Sequence, residues 1–190
     1  VVKAGMLPAL RNGELPDSDK WFIVEMMPGP EPMEELEAAL LRIAVNPPDS
    51  LLMQLKEDKR GLARAVNRIL PSEGELLLVI DQFEEIFTLV EKEQDRVEFL
   101  TALHTAVSES RSRLRVIITL RADFYDRPLL YPELGELVRK HTEVVLPLNV
   151  DELEQAIRHP AERLGLQVEA ALIKEIIADL ANEPQLRTAL

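Results

Sequence analysis

The sequence predicts an α/β fold in which a parallel sheet is flanked by helices and followed by a helical extension. Two continuous apolar runs, at residues 76–80 and 116–120, are typical of strands covered on both faces. A helical stripe of apolar residues separates them, and strand–helix–strand alternation favours a parallel sheet. Because 46% of the 190 residues are hydrophobic, the chain can bury a substantial core.

The first part of the chain predicts one strand and several helical segments. Residues 21–26 form a short apolar run that ends at a Pro-Gly-Pro turn, so we expect a buried strand there. Pro32 suits the first turn of a helix that ends near Asn46. Ser50 is the expected N-cap of the next helical stretch, which pauses near Gly61 and then resumes.

The second part predicts further strands separated by helices. The run at residues 76–80 is the clearest strand, and helical periodicity over residues 97–107 leads to the strand at 116–120. A helix is expected around residues 134–138. The short apolar segment after it, residues 144–146, predicts a fourth strand.

From residue 149 onward the apolar pattern is helical. Pro160 interrupts or restarts the first stripe, and Gly165 supplies a left-handed stop before the second. We therefore predict an α/β nucleotide-binding core at residues 1–148 and a helical extension at residues 149–190. We expect the extension to be incomplete and to pack on the sheet or cover its edge.

Composition excludes several classes of function. The chain has 34 acidic and 22 basic residues, and its net charge of −12 disfavours nucleic-acid partners. It has no cysteine, which excludes thiolate nucleophiles, disulfides and cysteine-ligated metals. The longest apolar runs are about five residues, against roughly twenty for a membrane span. We expect no membrane partner and, because no secretory signal is visible, a cytoplasmic location.

Charged residues follow two predicted strands at the edge where open parallel sheets bind ligands. Asp81 directly follows one strand, and its carboxylate can hold Mg²⁺ through water. Glu84 and Glu85 lie within about one helical turn of it, close enough for one of them to orient or deprotonate an attacking water. Arg121 follows the other strand, and its planar guanidinium suits a terminal phosphate. These residues predict a phosphoryl-transfer site.

The same residues have a purely structural alternative. Asp81 can be a helix N-cap with Glu84 as its capping-box partner, since Asp-x-x-Glu is a common helix start. Arg121 can be a surface residue paired with Asp123. The occurrence of two charged strand ends together favours the functional interpretation.

These segments resemble a known family. Residues 76–87, Leu-Leu-Leu-Val-Ile-Asp-Gln-Phe-Glu-Glu-Ile-Phe, resemble the Walker B segment of the novel STAND NTPases, which are P-loop ATPases of signal transduction. They are also similar to the Asp-Gly-hydrophobic-Asp-Glu form of the NACHT ATPases. Residues 120–125, Leu-Arg-Ala-Asp-Phe-Tyr, resemble the family's sensor 1 segment. Further matches occur in family order at residues 4–10, 28–32, 131–134 and 159–166.

The resemblance implies a P-loop-NTPase-like sheet that binds ATP with Mg²⁺ and works as a switch. It implies that Asp81 holds Mg²⁺ through water and that Glu84 or Glu85 acts on the attacking water. It further implies that Arg121 senses the γ-phosphate. The parent protein would carry separate sensor and effector domains, WD-type repeats being one kind, and would self-associate in response to nucleotide.

The sequence departs from the family near both ends. In the family, a Gly-rich loop ending in Gly-Lys-Ser directly precedes the segment that residues 4–10 match. Here the seven glycines lie at least eight positions apart, so we expect that loop and the first strand to be absent from this chain. Without the backbone cradle and its lysine, we expect weak nucleotide binding and no ATPase activity from this chain alone. Residues 182–186 match the family's Gly-x-Pro-like segment poorly.

Two other functions are alternatives at this point. One is a non-enzymatic protein-interaction scaffold with a degenerate NTPase fold, which the missing phosphate loop favours. The other is a phosphoacceptor receiver domain with Asp81 as the acceptor. The receiver fits less well, because it needs a lysine after a late strand, whereas Pro147 follows residues 144–146.

Overall fold

A three-stranded parallel sheet forms the centre of the N-terminal part of the protein. The computed structural model describes residues 1–45, 47–146 and 148–182. Its strands are β1 (Phe22–Met26), β2 (Leu76–Ile80) and β3 (Leu114–Ile118). They lie in the order β1-β2-β3, and both outer strands run parallel to β2. The predicted α/β class with a parallel sheet is therefore confirmed for this part of the chain.

Helices flank this sheet. They are α1 (Leu7–Arg11), α2 (Pro32–Leu41), α3 (Leu51–Glu57), α4 (Gly61–Ile69), α5 (Glu85–Thr88), α6 (Glu93–Ser108) and α7 (Pro132–His141). A π-helical turn, Val2–Met6, leads into α1. Short 3-10 turns occur at Ser18–Lys20, Ala122–Phe124 and Pro128–Leu130.

The central strand is buried on both faces. Side chains of Leu76, Leu78 and Ile80 join the larger core formed with the helices that follow β1 and β2. Leu77 and Val79 point to the other face, where α1 covers them. Because every residue of β2 is covered, its sequence is a continuous apolar run without polar alternation.

Local signals explain where two of the helices begin. The Ser50 hydroxyl accepts a hydrogen bond from the Met53 N–H (3.3 Å), so Ser50 is the predicted N-cap of α3. At Gly61, where the helical pattern pauses, an added Cβ would lie 2.3 Å from the Gln54 carbonyl oxygen. Only glycine fits this approach between α3 and α4.

The predicted fourth strand at residues 144–146 is wrong. These residues are not in a strand, and Val144, Val145 and Leu146 are 70%, 63% and 74% exposed. Among the described residues the sheet has three strands, and none of them pairs with this segment. Strand propensity is worth only about 1 kcal/mol, so an apolar triplet without a bonded neighbour does not form a strand.

The third strand begins earlier than the pattern indicates. β3 spans Leu114–Ile118, not residues 116–120, because Leu114 and Arg115 pair with Leu76 and Leu77 of β2; Leu114 is buried and Arg115 is exposed. The Arg115 side chain lies over the Trp21 ring (4.8 Å to the centroid) and pairs with Glu75 (2.8 Å). This inward–outward alternation is ordinary for a strand at a sheet edge.

The chain divides into two compact units, Val1–His141 and the residues from Thr142 on. The second contains α8 (Val150–Arg163), with a capping box formed by Asn149 and Glu152, and α9 (Ala170–Asn182). α8 continues through Pro160, and the left-handed Gly165 (φ 72°) follows its end as predicted. The functional division after residue 148 stays a prediction.

Three sequence-based expectations fall on residues that the structure does not describe. They concern the helix end at Asn46, the effect of Pro147, and residues 183–186 of the Gly-x-Pro-like segment. Within the described part of the chain, no helix combines the length and the apolar character that a membrane crossing requires.

Candidate functional site

Asp81 lies directly after β2, at the carboxyl edge of the sheet. Its backbone N–H donates to the Met26 carbonyl at the end of β1 (2.9 Å). Thr119, which follows β3, donates its N–H to the Ile80 carbonyl (3.0 Å). The ends of all three described strands therefore meet around Asp81, at the edge where parallel sheets bind ligands.

The Asp81 carboxylate has three hydrogen-bonding or ionic partners. The Lys3 ammonium lies 2.8 Å from Oδ2, and the Thr119 hydroxyl donates to Oδ1 at 2.5 Å. The Gln82 N–H also approaches Oδ1, at 3.2 Å. Lys3 first, and Thr119 second, lower the pKa of Asp81 below its usual value. Asp81 is therefore a fixed, ionised carboxylate at neutral pH.

Gln82 forms a left-handed turn after Asp81. Its φ is 54°, a conformation that costs a residue with a side chain about 1–2 kcal/mol. Its N–H also donates to the Thr119 hydroxyl (3.1 Å), which helps to hold the turn. A positive φ favours glycine, and here glutamine occupies the position. Strain held in place by neighbouring bonds is typical of functional sites.

The capping-box alternative for Asp81 is wrong. Helix α5 begins at Glu85, its N-cap is Glu84, and no side chain caps it. The Asp81 side chain instead bonds to groups that precede α1 and follow β3. Asp81 therefore organises the sheet edge and does not cap the helix.

The two glutamates after Asp81 have different environments. Glu85 Oε2 accepts a hydrogen bond from the Gly29 N–H (3.0 Å), which ties α5 to the loop after β1. Glu84 Oε2 is buried, and none of the described residues donates a hydrogen bond to it. A buried carboxylate oxygen without a partner costs free energy, and such atoms are rare in folded proteins.

Arg121 is paired with its neighbour Asp123. Its Nε and Nη2 donate to the two carboxylate oxygens at 3.1 and 2.7 Å, and its guanidinium also lies over the Phe124 ring. Both partners of the ion pair are more than half exposed. No hydrogen bond or ion pair links Arg121 to Asp81, Glu84 or Glu85, so its described polar partner is Asp123.

A comparison with protein-family models identifies the family to which the chain belongs. The model of the family Novel STAND NTPase 1 matches residues 1–188. The chain belongs to the novel STAND NTPases. No curated protein and no solved structure matches it. The family makes the chain a STAND-type nucleotide-binding module.

The sequence analysis of this STAND NTPase missed two residues at the carboxyl edge of the sheet, Lys3 and Thr119. Thr119 could have been found from strand register, because Ile80 pairs with Ile118 and the next residues, Asp81 and Thr119, are therefore neighbours. Lys3 carries no such signal. Its position depends on how α1 packs against the sheet.

The residues at the edge are compatible with a nucleotide-bound magnesium ion. In the described ranges, no three acidic, histidine or cysteine residues cluster into a metal site. Mg²⁺ bound with a nucleotide needs only one or two carboxylates, because phosphates and waters supply its other ligands. The ionised Asp81 meets this requirement, and Glu25 Oε2 lies 3.7 Å from the same ammonium that pairs with Asp81.

Proposed function

We propose that the chain is the ATP-binding and ATP-hydrolysing switch module of a STAND-type signalling protein. The observation that supports this most directly is the ionised Asp81 at the end of the central strand, bonded to Thr119 of the adjacent strand end. The strained turn at Gln82 supports the same site. Family membership supports nucleotide binding.

Asp81 is the residue proposed to hold Mg²⁺, through water. When bound, Mg²⁺ would neutralise charge on the nucleotide phosphates. The bond from Thr119 fixes Oδ1, so the carboxylate keeps one orientation as a ligand. Oδ2 faces the cationic side of the site, where Lys3 lies.

Glu84 is the preferred candidate for orienting or deprotonating the attacking water. Among the described residues no group donates to its Oε2, so this oxygen is available to accept a proton. Glu85 is the second candidate, but its carboxylate already accepts from Gly29. We therefore assign Glu85 the positioning of the loop after β1.

Arg121 is the proposed sensor of the γ-phosphate. Its guanidinium already donates two parallel hydrogen bonds to a carboxylate, Asp123. Phosphate oxygens accept the same bidentate geometry. A bound nucleotide would replace Asp123 on Arg121, and this exchange would couple the segment after β3 to the presence of ATP.

The free edge of β3 is the proposed position of the P-loop strand. β3 pairs only with β2 among the described strands, and residues 113 and 119 bond toward β2. Alternation along the strand turns the backbone groups of Leu114, Val116 and Ile118 outward, where no described strand accepts them. A strand from upstream that ends in a Gly-Lys-Ser loop would form hydrogen bonds with these backbone groups. Its loop would place phosphate-binding N–H groups beside Asp81.

As a switch, the module would favour one assembly state when ATP is bound, because ATP binds that state more tightly. Sensor and effector domains of the same protein, WD-type repeats among them, are the proposed partners. Nucleotide-dependent self-association is the proposed output.

Calorimetric titration with Mg-ATP tests the proposal. It would be made on this chain and on a form extended upstream through any Gly-Lys-Ser loop, each with Asp81→Ala and Arg121→Ala. Arg127→Ala is the matched control, since Arg127 is an exposed arginine in the same loop. We expect weak binding by this chain, tighter binding by the extended form, and losses with the first two substitutions only. A folded extended form that does not bind would favour the interaction scaffold.

A further inference from the structure

Lys3 lies at the end of two adjacent strands although it precedes the first helix. Its Nζ is 2.8 Å from Asp81 Oδ2 and 3.7 Å from Glu25 Oε2. The π-helical turn that carries Lys3 leads into α1, where Leu7 and Leu10 pack on Leu77 and Val79 of β2. This packing holds the start of the chain against the sheet and directs the ammonium to the carboxyl edge.

The ammonium sits between two negative charges. Glu25 is in register with Val79, and Asp81 follows β2, so their carboxylates lie at neighbouring strand ends. Two ionised carboxylates at this spacing repel each other unless a cation lies between them. Lys3 supplies that cation, with its ammonium 2.8 Å from Asp81 and 3.7 Å from Glu25.

We propose that the Lys3 ammonium is the resident counter-ion of Asp81, and that a divalent cation binds at Asp81 by displacing it. Lys3 then sets the metal affinity of the site without being a ligand. This inference rests on the proposed function, because it takes Asp81 as the residue that holds the metal.

The geometry allows the displacement. The Lys3 side chain is 54% exposed, and its four-carbon stem is flexible, so the ammonium can leave Asp81 without disturbing the core. Glu25 remains close enough to keep the ammonium at the edge. The Lys3 end of the pair is exposed to solvent, which keeps the contribution of this ion pair to the free energy small. A divalent ion carries twice the charge of the ammonium, so at sufficient concentration it competes with Lys3 for the carboxylate.

The test measures Mn²⁺ binding by electron paramagnetic resonance on the full chain without nucleotide. Mn²⁺ stands in for Mg²⁺ and reports binding directly. Lys3→Met removes the charge and keeps the stem, whereas Lys3→Arg keeps the charge. Lys20→Met is the matched control, because Lys20 forms an ion pair with Asp17, away from Asp81, and this pair is more exposed than that of Lys3. We expect Lys3→Met to tighten Mn²⁺ binding about two- to five-fold and the other two variants to bind as wild type does.

Two results would overturn the inference. The first is that Lys3→Met binds Mn²⁺ no more tightly than wild type does. The second is that Lys20→Met tightens Mn²⁺ binding as much as Lys3→Met does, which would indicate a general charge effect. Asp81→Asn separates this failure from that of the proposed function. If Asp81→Asn loses Mn²⁺ affinity, the metal site stands and only the role of Lys3 fails. If Asp81→Asn binds like wild type, or if wild type binds no Mn²⁺, a metal alone does not displace Lys3 at Asp81 and the inference fails. The nucleotide-bound metal of the proposed function is then decided separately, by the Mg-ATP titration of Asp81→Ala.

Discussion

The Thr119 hydroxyl donates a 2.5 Å hydrogen bond to Asp81 and accepts one from the N–H of Gln82. One side chain at the end of β3 therefore fixes both the carboxylate and the turn that follow β2. Asp81 is held from one side by Thr119 and from the other by Lys3. The acidic group at the centre of the proposed site is thus oriented before any ligand arrives, which lowers the entropic cost of binding one.

Thr119→Val should destabilise the protein by about 1–2 kcal/mol, because a hydrogen bond to a charged group is lost while the shape of the side chain is kept. Urea unfolding measures the change. Thr119→Ser, which restores the hydroxyl, should recover most of it. Equal stability of the valine variant and wild type would contradict the role of this bond.

Acidification should destabilise the protein in part through Asp81. Lys3 and Thr119 lower the pKa of folded Asp81 below its ordinary value of about 3.9. Its stabilising contribution is therefore complete above that value and is lost as the pH falls through the folded pKa. Urea midpoints between about pH 6 and pH 3 should fall more steeply for wild type than for Asp81→Asn. Parallel curves would show that Asp81 does not contribute.

Gln82→Gly should stabilise the fold by about 0.5–1 kcal/mol relative to Gln82→Ala, since glycine adopts φ 54° without steric cost. Comparing glycine with alanine removes the contribution of the glutamine side chain, which lies near Met27. Chemical denaturation of the two variants gives the difference. A less stable glycine variant would show that the turn is not strained.

Gly61→Ala should cost about 1–3 kcal/mol, because the new methyl group would overlap the Gln54 carbonyl between α3 and α4. Gly5→Ala is the matched control, since no atom lies within 4 Å of a Cβ at that position. Thermal unfolding of both variants provides the measurement. A comparable melting temperature for the two would contradict the close approach.

Asp123→Asn should tighten Mg-ATP binding about two-fold to five-fold, because Arg121 no longer has to leave an ion pair before it meets phosphate. Asp126→Asn removes a nearby exposed carboxylate and should have little effect. Calorimetric titration with Mg-ATP of the form extended upstream through any Gly-Lys-Ser loop measures the affinity of both variants. Weaker binding by Asp123→Asn would instead assign Asp123 a direct part in the site.

The strands show which features of the sheet the sequence pattern predicts. The apolar run of β2 predicts its bounds correctly, because a central strand is buried on both faces whatever its neighbours are. The equally apolar residues 144–146 are not a strand, since strand formation also needs a bonded partner and composition does not report one. At β3 the charged residue Arg115 hides the true start, because an edge position tolerates an outward arginine.

The site was predictable to a similar extent. Asp81 follows from its place after a buried strand, and Thr119 follows from register once the sheet order is known. Lys3 does not follow, because its position results from the packing of α1 some distance along the chain. The different partners of Glu84 and Glu85 likewise depend on the Gly29 loop, which no spacing rule connects to α5.

The side of β3 that no described strand covers also has a consequence for how this chain behaves when it is concentrated. The strand reads Leu-Arg-Val-Ile-Ile, so Arg115 is the single charge that discourages an identical molecule from adding its own strand there. Arg115 thereby acts as a gatekeeper against growth of an intermolecular sheet.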